Sequence, residues 1–210
     1  MKKEIKEGWQ MWVELHDTHV LKTPKTRKEV EKSVRRYVRF IGKPEEFSSH
    51  VTRVLRDIPR SLYLLKRSHL PPKYLAYPEF LERGVIKQKR VIPLEDEIRR
   101  LIASKKIKEA RALINKALTF FMSLWQYGIH EKTFKLTSNF GIDGNQIVLL
   151  DFLELTGNKK KVEKQLRKKL WRNATWMKKG YPPTFIDYYL HMADTKLTLH
   201  NFRTLWKKNR

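Results

Sequence analysis

The chain has 210 residues, 40% of them hydrophobic and 11% aromatic, enough for one sizeable domain or two small halves around a cleft, and too apolar for a disordered polycation. It contains no cysteine, which excludes disulfides, thiolate catalysis and cysteine-based zinc sites and fits a reducing cytoplasm. Lys and Arg number 46 against 22 Asp and Glu, a formal charge of +24; such a surplus attracts polyanions, whereas the Lys-rich surfaces of heat-adapted proteins usually balance Lys with Glu.

Met1 to Gly8 is charged and has no apolar signal core, and no stretch approaches the ~20 apolar residues of a membrane helix. The expectation is a soluble cytoplasmic protein, at most peripheral to a membrane or a ribonucleoprotein. Ile5 to Lys22 reads as two short strands, with His16-Asp17 at the turn before a β-rich second strand, Thr18 to Lys22. Thr26 is placed to cap a helix from Arg27 to Ile41, whose Val30, Val34, Tyr37, Val38 and Ile41 recur at helical spacing. Gly42-Lys43-Pro44 breaks it; a second helix over Glu45 to Arg56 and a third apolar segment, Ile58 to Leu65, follow. Tyr74 to Phe80 and Val85 to Ile92 look like paired strands.

After Pro93 the pattern becomes helical: Leu94 to Ala103, then a stripe of Ile107, Ala110, Ile114, Ala117, Phe121 and Leu124 closed by Gly128. Asn139 to Asn145 forms a turn leading into a buried strand, Gln146 to Phe152, and the remainder is helical with a break at Gly180 to Pro183.

The chemistry-bearing stretch is Asn139 to Leu155, N-F-G-I-D-G-N-Q-I-V-L-L-D-F-L-E-L. Its Asn139 and Asp151 flank an apolar hairpin and supply hard oxygen ligands of the kind Mg²⁺ takes when it bridges nucleotide phosphates. This stretch resembles the catalytic-loop Asn and the D-F-G segment of the protein-kinase-like superfamily, with its bacterial small-molecule and lipopolysaccharide kinase branches; Leu153 stands where that motif has Gly. The resemblance covers about residues 8–155. It implies an α+β, two-lobed protein-kinase-like fold, with a reduced antiparallel β-sheet lobe over 1–92 and a helical lobe over 93–210. It also implies ATP and Mg²⁺ as cofactors, held at the metal by Asn139 and Asp151. His19-Val20-Leu21-Lys22 looks like the strand whose Lys pairs with the α- and β-phosphates. Glu31 would then be its ion-pair partner, with Glu29 as the other candidate, and Lys89, Val91 and Ile92 would line the adenine pocket.

Two features depart from that pattern. Phe134 stands five residues before Asn139, where such kinases carry their Asp base, so Glu131, eight before, is the substitute base, with Lys135 beside the γ-phosphate. Only Gly8 precedes the first strand, so a Gly-rich phosphate loop is missing. These departures leave two functions open: phosphate transfer from ATP to an anionic acceptor, or a catalytically inactive module that binds RNA, anionic membrane or a partner. For polyanions the candidate surface is 159–179, where Lys161, Lys164, Lys168 and Arg172 share a helix face with Trp171, Trp176, Lys178 and Lys179 nearby.

Overall fold

Gly8 turns the chain so tightly that a Cβ there would sit 2.8 Å from the Met11 carbonyl, and this divides the expected first strand in two. In the computed structural model, which describes residues 4–174, 177 and 180–206, the result is β1 (Glu4–Glu7), β2 (Met11–Leu15) and β3 (His19–Pro24). They join β4 (Glu79–Phe80) and β5 (Ile86–Lys89) in an antiparallel sheet of order β1-β2-β3-β5-β4. Lys22 pairs with Val13 on one side and Ile86 on the other. Buried Lys25 ties this sheet to the next helix, donating to Glu7 (2.7 Å) and to Ser33 (2.8 Å).

Thr26 caps α1 (Arg27–Phe40) as expected, in a capping box with Glu29. Val30, Val34 and Val38 of α1 pack on Val51 and Val54 of α2 (Phe47–Ser68). The helix expected over Glu45 to Arg56 and the apolar segment expected over Ile58 to Leu65 are one continuous helix, with Pro59 in its interior. Pro59 is exposed and removes a single backbone bond, while packing holds the helix on both sides of it. Ser61 Oγ donates to the Leu153 carbonyl (2.8 Å) and accepts from the Leu155 N–H (3.1 Å), and Leu65 enters the main core.

The chain leaves the sheet through Arg90-Val91 into β6 (Ile92–Pro93), α3 (Leu94–Ala103) and α4 (Ile107–Ser123). The α4 stripe is buried as expected, and a further turn to Tyr127 ends at Gly128 with φ 68°. There follow β7 (His130–Glu131), α5 (Leu136–Asn139), β8 (Phe140–Asp143), β9 (Gln146–Leu149) and β10 (Leu155–Thr156). β6-β8-β9 form one antiparallel sheet and β7-β10 a two-stranded ribbon. α6 (Lys159–Arg167), α7 (Pro183–Lys196) and α8 (Leu199–Leu205) complete the chain. One continuous core runs from Met11 and Ile86 of the sheet through Phe121, Trp125 and Phe152 to Tyr189 and Phe202. The architecture is α+β, and no helix among the described residues is long and apolar enough to cross a membrane.

The expected cationic ridge is shorter than its sequence. α6 ends at Arg167 with Val162 and Leu166 buried. Lys169 pairs with Asp194 (3.6 Å), as does Arg172, and the buried Trp171 donates to the same carboxylate (3.0 Å). Trp176, Lys178 and Lys179 lie outside the described residues.

Gly141 is where β8 and the Arg90-Val91 passage come closest. A Cβ there would lie 2.9 Å from both Leu150 Cδ1 and Val91 Cγ2 and 3.0 Å from the Ile92 carbonyl. Gly141→Ala is therefore expected to cost about 1–3 kcal/mol by overpacking. A urea midpoint equal to the parent's would show that the strands part freely there.

Candidate functional site

Between the five-stranded sheet and the helical layer lies a cavity of about 390 Å³, lined by Val13, Val20, Lys22 and Gln88 from the sheet and by Leu150 and Asp151 opposite. Lys22 is held over it by strand pairing on both sides. Its Nζ donates to the Leu150 carbonyl (2.7 Å) and lies 5.7 Å from the Phe152 ring centroid. Burial lowers the Lys22 pKa, against the pull of the neighbouring Asp151 carboxylate. The expected convergence of Lys22 and Asp151 on one crevice is thus present, with Lys22 and Leu150 128 positions apart in the chain.

The hairpin fixes Asp151 through the backbone of Asn139, whose carbonyl accepts from the N–H groups of Leu150 (2.8 Å) and Asp151 (3.2 Å). Asp151 in turn accepts from the Leu153 N–H (3.2 Å). The Asn139 amide nitrogen donates to Glu131 Oε1 (3.2 Å) and Thr133 Oγ1 (3.3 Å), which leaves Oδ1 as the side-chain atom able to bind a cation. Among the described residues no group of three or more His, Asp or Glu side chains could hold a metal by itself. A cation at Asn139 and Asp151 would need ligands from a bound molecule or water, which is how Mg²⁺ commonly sits on phosphates.

Glu131 stands differently from expectation. It is fully buried, its Oε1 accepts from the Thr133 N–H (2.9 Å) and hydroxyl, and its Oε2 has no partner. Burial raises its pKa to about 7, in spite of the Thr133 hydrogen bonds. Like Asn139, Lys135 and Glu154 it does not line the cavity itself, and its fully buried position suits holding Asn139 rather than meeting a substrate. The carboxylate that sequence reasoning missed is Glu154, which pairs with Lys135 (3.3 Å) with 17% of its side chain exposed. Burial raises the Glu154 pKa against the pull of Lys135. Burial also works against the Lys135 charge, but Glu154, Glu131 and Asp151 outweigh it and the pKa is raised.

His130 is structural. It is buried, and Nδ1 accepts from Trp125 Nε1 (3.0 Å), so the ring is neutral with its proton on Nε2; burial lowers its pKa to about 3. Phe134 packs against Phe121 in the core, with a left-handed φ of 54° that reverses the chain into α5.

Glu31 is not the partner of Lys22. It pairs with Arg27 one helical turn away (3.0 Å), while Glu29 caps the helix and accepts from Trp12 Nε1 (3.0 Å). Lys89 and Val91 line the cavity; Ile92 does not, since its backbone pairs with Ile142 and its side chain faces solvent. Lys89 also bridges to Asp143 (2.7 Å). The N–H groups of Lys89 and Arg90 are taken by Ala76 and Thr18 (2.9 Å each), whereas Val91 has no backbone partner among the described residues. Gln88, unnoticed in the sequence, donates to the Leu75 carbonyl (2.7 Å) and leaves Oε1 buried and unpartnered. No strand pattern distinguishes such a glutamine from a surface one.

No known protein family, curated protein or solved structure matches the chain.

Proposed function

We propose that this protein is an atypical ATP- and Mg²⁺-dependent phosphotransferase of two-lobed, protein-kinase-like architecture, acting on an anionic acceptor. The observation that carries the reading is the meeting of Lys22 with the Leu150-Asp151 strand end across the cavity. The sheet order β1-β2-β3-β5-β4, with a lysine on β3, and the hairpin between Asn139 and Asp151 also support it.

The residues present fit a nucleotide. Val91 and the orphaned Gln88 Oε1 are unused hydrogen-bonding groups at the sheet side, suited to the edge of a purine. Lys22 is suited to phosphate oxygens, and Asp151 and Asn139 Oδ1 to the metal. When bound, Mg²⁺-ATP supplies the transferable phosphoryl group with its charge partly neutralised. Lys135 adds positive charge beside Asp151, and Glu154, part exposed, orients the acceptor hydroxyl in place of Glu131.

Fluorescent-ATP titration with and without Mg²⁺ tests this. Binding is expected to need the metal and to weaken about 10- to 100-fold in Lys22→Ala and in Asp151→Ala, the loss of one charged hydrogen bond. Glu154→Gln should slow turnover about 10²-fold or more while leaving binding intact. Metal-independent binding that ignores Lys22 would end the reading. The burial of Glu131 favours a second one, a module that binds Mg²⁺-nucleotide without turnover; it predicts the same titrations and no phosphate release.

A further inference from the structure

The exposed face of α2 carries an arginine stripe. Arg53, Arg56, Arg60 and Arg67 are all exposed, and at 3.6 residues per turn they fall within an arc of about 60° and along about 20 Å of axis. Beside the stripe, on the same helix, Asp57 pairs with Lys132 (2.7 Å). From the other side Gln165 of α6 donates to the Lys132 carbonyl (2.8 Å), and a Cβ on Gly157, just ahead of α6, would meet Leu64 of α2 at 2.9 Å. α2 and α6 therefore flank Lys132 as one surface, with Lys160, Lys161 and Lys164 exposed on α6.

We propose that this α2–α6 face binds nucleic acid, taking the sugar-phosphate backbone along the arginine stripe and the α6 lysines. Its charges are not balanced from within. Asp57 is committed to Lys132, and Arg53, Arg56 and Arg60 have no ion pair among the described residues. Burial lowers the pKa of Lys161, and repulsion from Lys132, Arg60 and Arg53 adds to this against the attraction of Asp57. A chain that crowds like charges on a helix face without carboxylate partners gains stability when a polyanion arrives. Arginine steps of three, four and seven residues, about 5 to 10 Å, suit a row of phosphates, and guanidinium forks bind them bidentately.

A lipid surface is the poorer fit. Insertion needs exposed apolar side chains among the charges, and the stripe offers only Tyr63, whose ring is covered by Arg67 with its hydroxyl accepting from the same guanidinium (3.0 Å). This inference is independent of the nucleotide cleft.

The test is fluorescence anisotropy of the full chain with single-stranded RNA, duplex RNA and duplex DNA oligonucleotides over a salt series, beside phosphatidylserine vesicles. The triple variant Arg53→Ala, Arg60→Ala, Lys161→Ala is expected to lose about 10²- to 10³-fold in affinity near 0.1 M salt and to flatten the log–log salt slope by about 2 to 3. A control removing equal charge from α1, Lys28→Ala, Lys32→Ala, Arg39→Ala, is expected to change affinity less than about threefold, and Asp151→Ala not at all. The three oligonucleotides identify which nucleic acid is preferred. Because the triple variant removes repulsion, its urea midpoint should not fall; if it does, Arg53→Ala with Arg60→Ala alone must show a loss of about 10-fold or more. Equal losses in patch and control variants, loss of binding in Asp151→Ala, or vesicle binding tighter than any oligonucleotide would each overturn the proposal.

Discussion

Replacing Glu131 with Gln is expected to stabilise the protein by about 3 kcal/mol near pH 8 and to leave its stability unchanged near pH 4. The folded pKa of Glu131 is raised from 4.5 to about 7 by burial. Between those values the folded chain holds a proton that the unfolded chain has released, so this group's contribution is fully present below pH 4.5 and lost as pH rises through 7. His130 runs the opposite way. Burial lowers its pKa from 6.5 to about 3, so its contribution is present above pH 6.5 and lost as pH falls toward 3. At about 1.4 kcal/mol per unit of pKa the two amount to roughly 3 and 5 kcal/mol, and from pH 4.5 to 6.5 their slopes cancel. Across that window Glu131→Gln should therefore gain steadily on the parent, by about 3 kcal/mol in all. Glu7, held down to about 2 by Arg36 and Lys25, adds an acid-side term common to both proteins, so the difference curve isolates Glu131. Urea titrations at half-unit pH steps give that curve, and parallel profiles would show that Glu131 keeps an ordinary carboxylate pKa.

That a site carboxylate destabilises the fold at neutral pH fits its place behind Asn139. Gln keeps an oxygen to accept from Thr133 and Asn139, so the expected gain comes from the removed charge alone. Proteins tolerate such a group where geometry at a functional site requires it.

Most local signals in the sequence held, although the strand expected over Tyr74 to Phe80 is only Glu79–Phe80, after a tight turn at Pro72–Leu75 and left-handed Ala76 and Tyr77. The Thr26 cap, the α4 stripe and the hairpin of residues 140–149 each follow from neighbours within a few positions, and all are present. The meeting of Lys22 with the Asp151 strand was reachable only because two local patterns suggested it. Glu31 misled because a carboxylate on a basic helix finds an arginine one turn away before it finds a lysine across the sheet. Gln88, Ser61 and Asp57 carry no local mark, since what makes each matter is a partner 13, 92 or 75 positions away. α2 runs on through Pro59, joining the helix and the apolar segment that the sequence reading separates, because packing rather than propensity holds it.

Asp57→Ala should be the most disruptive single change on α2, costing about 3–5 kcal/mol. The choice between a trivial and a serious loss turns on solvent. An exposed pair is worth about 0–1 kcal/mol, but the Asp57 and Lys132 side chains are only 9% and 13% exposed and 2.7 Å apart. Removing the carboxylate leaves the Lys132 ammonium buried beside Lys161, with Arg53 and Arg60 close enough to Lys161 to repel it. Asp57→Ala with Lys132→Met removes both charges and should recover most of the loss, because the cost lies in the orphaned ammonium rather than in the missing attraction. Asp57 and Ser61 are one turn apart, and Ser61 holds the Leu153 carbonyl and Leu155 N–H beyond Asp151. The single variant is thus expected to loosen α2 from that segment and weaken Mg²⁺-nucleotide binding, while the added net positive charge tightens nucleic acid on the α2–α6 face. A double variant as unstable as the single one would place the cost in packing. Nucleotide and nucleic-acid affinities moving in the same direction would mean that Asp57 does not separate the two sites.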